Sequence, residues 1–111
     1  MKRGREESTK HILNACATGK VAEVKDLIAK GVDPNVRESI YRKFGRLVSR
    51  VVECRTPLLV AAKNGHVDVA KVLTQNGADV NFAERSCDTA LHIAAENGHV
   101  DVAKVLIQNG A

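Results

Sequence analysis

Residues 61–78, AAKNGHVDVAKVLTQNGA, and residues 94–111, AAENGHVDVAKVLIQNGA, are one segment written twice at an offset of 33 residues. The copies differ only at Lys63/Glu96 and Thr74/Ile107. A period of this size marks a supersecondary unit copied and stacked, because one copy is too small to bury its own apolar face and must lean on its neighbours. The register continues outward: Arg55-Thr56-Pro57-Leu58 lies over Asp88-Thr89-Ala90-Leu91, and Gly77 over Gly110. At an offset of 46 from the second unit, Cys16-Ala17-Thr18-Gly19-Lys20-Val21 falls over residues 62–67, and residues 27–35 fall over 73–81. That offset exceeds the period by 13, so the first unit is a degenerate copy followed by an insertion. The units fall at about residues 9–35, 55–87 and 88–111, with the insertion at about 36–54 and the last unit lacking its final arm.

Each unit has a predictable shape. Thr56-Pro57-Leu58 opens a helix with proline in the first turn, where the missing N–H costs nothing, and the helix stops at Asn64-Gly65. A second helix from about Val67 places Val69, Val72 and Leu73 on one side, carries Asp68 in its first turn, and ends at Asn76-Gly77. Gly77 and Gly110 sit where a left-handed cap is needed. Residues 78–81 then form a short extended and turning arm toward the next helix pair.

Residues 56–81, TPLLVAAKNGHVDVAKVLTQNGADVN, and 89–111, TALHIAAENGHVDVAKVLIQNGA, resemble ankyrin repeats. The resemblance is strong over 55–111 and weaker over 9–35. It rests on the threonine entering the first helix, the paired alanines, the Gly-His between helices and Gly-Ala-Asp-Val-Asn after the second. The departures are Leu59 where histidine is usual, Ala90 in place of proline, and Cys54 and Cys87 where the arm commonly has glycine. The resemblance implies an all-α ankyrin-repeat solenoid of helix-loop-helix units with short hairpin-like arms. It also implies a non-catalytic module that recognises a protein partner through the arm tips and first helices. Carried onto this chain, the positions that vary in designed ankyrin binders are Val52, Glu53, Arg55, Lys63 and Asn64 in the second unit and Arg85, Ser86, Asp88, Glu96 and Asn97 in the third. The insertion displaces the arm at Val52 and Glu53, which leaves the other eight as the expected partner-binding residues.

The rest of the sequence is consistent with one small helical array. There is room for a single domain in 111 residues, and with 3% aromatic content the helices must be joined by Ala, Val and Leu. The N-terminus leads into no apolar signal region and no run approaches a membrane span, so a cytoplasmic or nuclear setting is expected. Cys16, Cys54 and Cys87 are odd in number and form no CxxC, which suits free thiols in a reducing compartment. Cys16 takes the place of Ala62 and is expected to be buried. His66 and His99 recur because the repeat recurs, which makes them architectural in place of a metal pair. No phosphate loop, HExxH or GxSxG occurs, and no acid, base and stabiliser converge, so no enzymatic activity, cofactor, metal or small-molecule substrate is expected.

The insertion carries the chain's individuality. Residues 36–55, VRESIYRKFGRLVSRVVECR, hold Arg37, Arg42, Lys43, Arg46, Arg50 and Arg55 against Glu38 and Glu53, a surplus equal to the net charge of +4 of the whole chain. On a helical wheel Ile40, Tyr41, Phe44, Leu47, Val48, Val51 and Val52 fill one arc and the charged residues the other, while strict alternation fails, so the pattern predicts an amphipathic helix capped by Ser39. It either packs back on the array or acts over residues 39–53 as a targeting element for an acidic protein or an anionic membrane surface, with Arg42, Lys43, Phe44, Arg46 and Arg50 as its recognition residues. Specific nucleic-acid binding is not expected, because charge without a reading motif is sequence-blind.

The two ends differ. Lys10, Asn14, Lys20, Glu23 and Lys25 give the first unit the polar surface of a cap. The last unit stops at Gly110-Ala111 without a polar replacement, so Leu91, Ile93, Val102 and Val105 are expected to face solvent in part. The chain is then either a fragment of a longer array, the favoured reading, or self-associates through that end.

Overall fold

The computed structural model describes residues 2–44, 47–83 and 88–111, and the side chains of residues 7–39, 55–83 and 88–111. Three helix pairs follow one another: α1 (Lys2–Thr18) with α2 (Val21–Ala29), α3 (Pro57–Asn64) with α4 (Val67–Gln75), and α5 (Ala90–Glu96) with α6 (Val100–Gln108). Between α2 and α3 run two strands, β1 (Glu38–Phe44) and β2 (Leu47–Arg55). The first helices α1, α3 and α5 pack in one row and the second helices α2, α4 and α6 in another, each pair closing across the two rows. This is the expected stacked array.

Local chemistry sets the helix limits. The Thr56 hydroxyl accepts the Leu59 N–H at 3.2 Å and Pro57 occupies the first turn, so α3 starts with its orphan donors reduced. It ends at Gly65, whose φ of 71° is the left-handed cap that a side chain resists. Thr89 caps α5 in the same way, and His92 Nδ1 accepts the Thr89 N–H at 3.2 Å to complete a reciprocal box. At the other end of the second helices, the amides of Asn76 and Asn109 donate to the carbonyls of Val72 and Val105, each at 2.7 Å.

The core is one continuous apolar seam. Ile12, Cys16 and Val24 begin it, Leu58, Ala61, Ala62, Val69 and Leu73 carry it through the middle pair, and Ala94, Val102 and Leu106 end it. Alanine lets the two helix rows approach closely, and the leucines fill the space between pairs. The polar residues of the first unit, Lys10, Asn14, Lys20, Glu23 and Lys25, are exposed as a cap requires.

Two expectations are corrected. The insertion is an antiparallel hairpin in place of a helix, and Ser39 is a strand residue opposite Cys54. Its pairing explains why alternation failed. Ile40 opposes Glu53 while Tyr41 opposes Val51, and Lys43 opposes Val48, so β2 carries extra residues at Val52 and within Ser49-Arg50. Each such bulge shifts the inward-outward phase of the strand by one. The second correction is at the last unit: Leu91 alone of the four faces solvent in part as expected, while Ile93, Val102 and Val105 are buried. These residues face the preceding pair and their own helix partner, which are present. Among the described residues the large apolar side chains left exposed are Val100 at 61% and Ile107 at 59%.

Candidate protein-interaction face

Two ladders of hydrogen bonds hold successive units in register. His66 Nε2 lies 2.9 Å from the Ala17 carbonyl and His99 Nε2 lies 3.1 Å from the Lys63 carbonyl. A carbonyl can only accept, so Nε2 carries the proton in both rings. The opposite edge of each ring rests on glycine: a Cβ on Gly19 would come within 2.8 Å of His66 Nδ1, and one on Gly65 within 2.6 Å of His99 Nδ1. The repeated Gly-His is therefore a plug and socket between units, and its histidines are structural. We expect His66→Ala to cost about 1 kcal/mol or somewhat more in urea unfolding, the usual range for losing a hydrogen bond and leaving its partner unmatched.

The second ladder runs through the arms. Asn35 donates its amide to the Gly77 carbonyl at 3.0 Å and its Oδ1 accepts the Asp79 N–H at 2.7 Å, while Asn81 reaches the Gly110 carbonyl at 3.3 Å. Asp33 and Asp79 tighten each turn by accepting the N–H of Asn35 and Asn81 at 2.8 and 3.0 Å. The arms join the end of each second helix to the start of the next first helix, and the loops after α3 and α5 lie at the other end of those helices.

Lys63 and Asn64 end α3, and Glu96 and Asn97 close α5; all four are exposed. The asparagines also cap their own helices, Asn64 donating to the Val60 carbonyl at 2.9 Å and Asn97 to the Ile93 carbonyl at 2.8 Å. Arg55 and Asp88, at the entries to α3 and α5, are half-buried. Arg85, Ser86, Arg46 and Cys87 lie outside the described residues. Arg42, Lys43 and Phe44 lie in β1 and Arg50 and Cys54 in β2, where the backbone alone is described.

The arms carry a feature away from these helix ends that no sequence motif marks. A recess of about 230 Å³ opens at the base of the hairpin, lined by Asn35, Arg37, Thr56, Asp79 and Phe82. The Arg37 guanidinium carbon lies over the Phe82 ring, 4.6 Å from its centre, a cation–π distance. Phe82, one of two phenylalanines in the chain, follows the Asn81 of the arm ladder, and that position was the available signal.

Cys16 is fully buried, and desolvation pushes its thiol up to about 12 from 9.0. The folded state therefore keeps a proton that the unfolded chain releases, so stability from this group is complete below pH 9 and is lost as pH rises toward 12. Stability of the wild-type chain should fall more steeply than that of Cys16→Ala as pH rises above 9.0 toward about 12 in parallel urea titrations. Native Cys16 should also resist iodoacetamide until the chain unfolds.

Among the described residues no three His, Cys, Asp or Glu side chains converge as metal ligands, and no helix is long and apolar enough to cross a membrane. A family model of ankyrin repeats in three copies matches residues 12–111. A Rickettsia bellii (strain RML369-C) protein named as an ankyrin repeat protein is 32% identical over an alignment of 85 residues that covers 67% of this chain. The chain spans 36% of that relative's length. Periodicity, paired helices, Gly-His plugs, arm asparagines and the matched family model agree: the chain belongs to the ankyrin-repeat family.

Proposed function

We propose that this chain is a non-catalytic module that binds a protein partner through its arm tips and the ends of its first helices. Ankyrin repeats are in general protein–protein interaction modules. The observation that carries the reading is Glu96. At the C-terminal end of a helix a carboxylate meets the negative end of the dipole, whereas Lys63 at the same place in α3 is favourably placed. In two otherwise near-identical exposed helix ends, stability alone favours lysine at both. We read a charge that works against its own helix, on the face expected to meet a partner, as serving a contact outside the chain. Lys63 and Glu96 then present opposite charges from adjacent units, with Asn64 and Asn97 next to them and Arg55 and Asp88 at the starts of the same two helices; Arg85 and Ser86 lie outside the described residues.

The test is capture from lysate with the wild-type chain beside the double variant Lys63→Glu, Glu96→Lys, both confirmed helical by circular dichroism. Loss of the captured protein in the exchange variant is the expected result. Unchanged capture would sink the reading. A salt series adds a second readout: a contact resting on these charges should weaken as the Debye length shrinks to about 3 Å at 1 M salt.

A further inference from the structure

The hairpin supplies a surface separate from the helix ends. Its sheet contains β1 and β2 and no third strand among the described residues, so each strand presents an outer edge of backbone N–H and C=O groups. Two strands alone are marginal in water, and a third adds backbone hydrogen bonds without requiring a groove. The edges are not equivalent. The extra residues of the pairing all fall on β2, at Val52 and within Ser49-Arg50, and a bulged strand bends and twists its edge away. β1 runs seven residues without an extra one, and its edge is the straighter template.

Charge indicates what would pair there. Residues 36–55 carry a surplus of four positive charges. Arg37, immediately before β1, is exposed and held over Phe82, and no carboxylate pairs with it among the described residues. Asp79 lines the same recess, but no ion pair joins it to Arg37. A guanidinium positioned by an aromatic ring keeps its N–H fork free for a bidentate carboxylate contact. We propose that the outer edge of β1 receives an extended, acidic segment of a protein partner as a third strand, with one of its carboxylates on the Arg37 guanidinium. Backbone pairing supplies the affinity, and the positive surplus selects acidic sequences over basic ones.

The full chain is titrated against fluorescein-labelled peptides of alternating sequence: Glu-Val repeats, Lys-Val repeats, and Glu-Pro repeats, which have the charge but lack the alternate N–H donors. The expected result is binding of the Glu-Val peptide at least about tenfold tighter than either control, reduced about tenfold by Arg37→Glu. Amide hydrogen exchange by NMR should show new protection at residues 38–44, with the hairpin's own pairing intact in the variant. Equal binding of Glu-Pro peptide or heparin would reduce the hairpin to a charged patch and overturn strand addition. New protection on β2, protection of β1 by a second copy of the chain without peptide, or no binding at all would also overturn it. Peptide binding that survives the Lys63/Glu96 exchange keeps this surface distinct from the helix-end face, so either can fail alone.

Discussion

Gly65→Ala should destabilise the array by about 2–5 kcal/mol, while Gly98→Ala, at nearly the same backbone angle, should cost about 1–2 kcal/mol. The two positions have φ of 71° and 72°, so the strain of placing an L side chain in the left-handed region is common to both. The surroundings differ. A Cβ on Gly65 would lie 2.6 Å from His99 Nδ1 and 2.7 Å from its Cε1, whereas a Cβ on Gly98 meets nothing within 4 Å. His99 cannot swing away without leaving the Lys63 carbonyl, which its Nε2 reaches at 3.1 Å. The added methyl therefore either separates two units or breaks their hydrogen bond. Gly65→Ala in a His99→Ala background should cost little more than Gly98→Ala, because the ring that the methyl strikes is gone. Urea unfolding of the four chains forms a double-mutant cycle, and a coupling below about 0.5 kcal/mol would show that the plug and socket contributes nothing beyond its backbone angle.

That contrast is available to a reader of the sequence only in outline. The 33-residue register, Thr56-Pro57 opening α3, Asn64-Gly65 closing it, and Val69, Val72 and Leu73 facing inward are all legible, because each follows from local chemistry repeated in phase. The role of Gly-His is half legible: repetition marks His66 and His99 as architectural, but which carbonyl each reaches depends on a unit 36 or 49 residues away. The insertion misled for a definable reason. Its bulges at Val52 and Ser49-Arg50 break the alternation that identifies a strand, and the apolar residues then sort by chance onto one arc of a helical wheel. The better signal was compositional: Ile40, Tyr41, Phe44, Val48, Val51 and Val52 favour strands, and Gly45-Arg46 separates the two apolar runs by two residues. At the last unit, a wheel shows that Ile93, Val102 and Val105 share the apolar side but not that the existing neighbours cover it. The recess at Arg37 and Phe82 joins two arms 45 residues apart and had no contiguous motif to announce it.

Leu73→Ala should be the most damaging single truncation, costing about 3–5 kcal/mol. Leu73 is fully buried in α4, which packs against α2, α3 and α6, so the cavity is walled on every side and has little room to collapse. A domain of this size has on the order of 5–15 kcal/mol in total, and the substitution removes a large share of it. Leu106 is the same residue one period later and equally buried, yet α6 packs chiefly on α4 and α5, with no helix pair beyond it among the described residues. Its surroundings can relax toward the cavity, so Leu106→Ala should cost roughly half as much. The manner of unfolding should differ as well. In a stacked array, stability is a sum of unit terms and nearest-neighbour interfaces, so weakening the middle unit damages two interfaces and weakening the last damages one. Leu73→Ala should leave a single transition at a lower midpoint, and Leu106→Ala should let α5 and α6 melt ahead of the rest. Helical signal by circular dichroism against urea distinguishes the two shapes. Equal costs for the two leucines, or early melting in Leu73→Ala alone, would show that the middle unit is not what couples the ends.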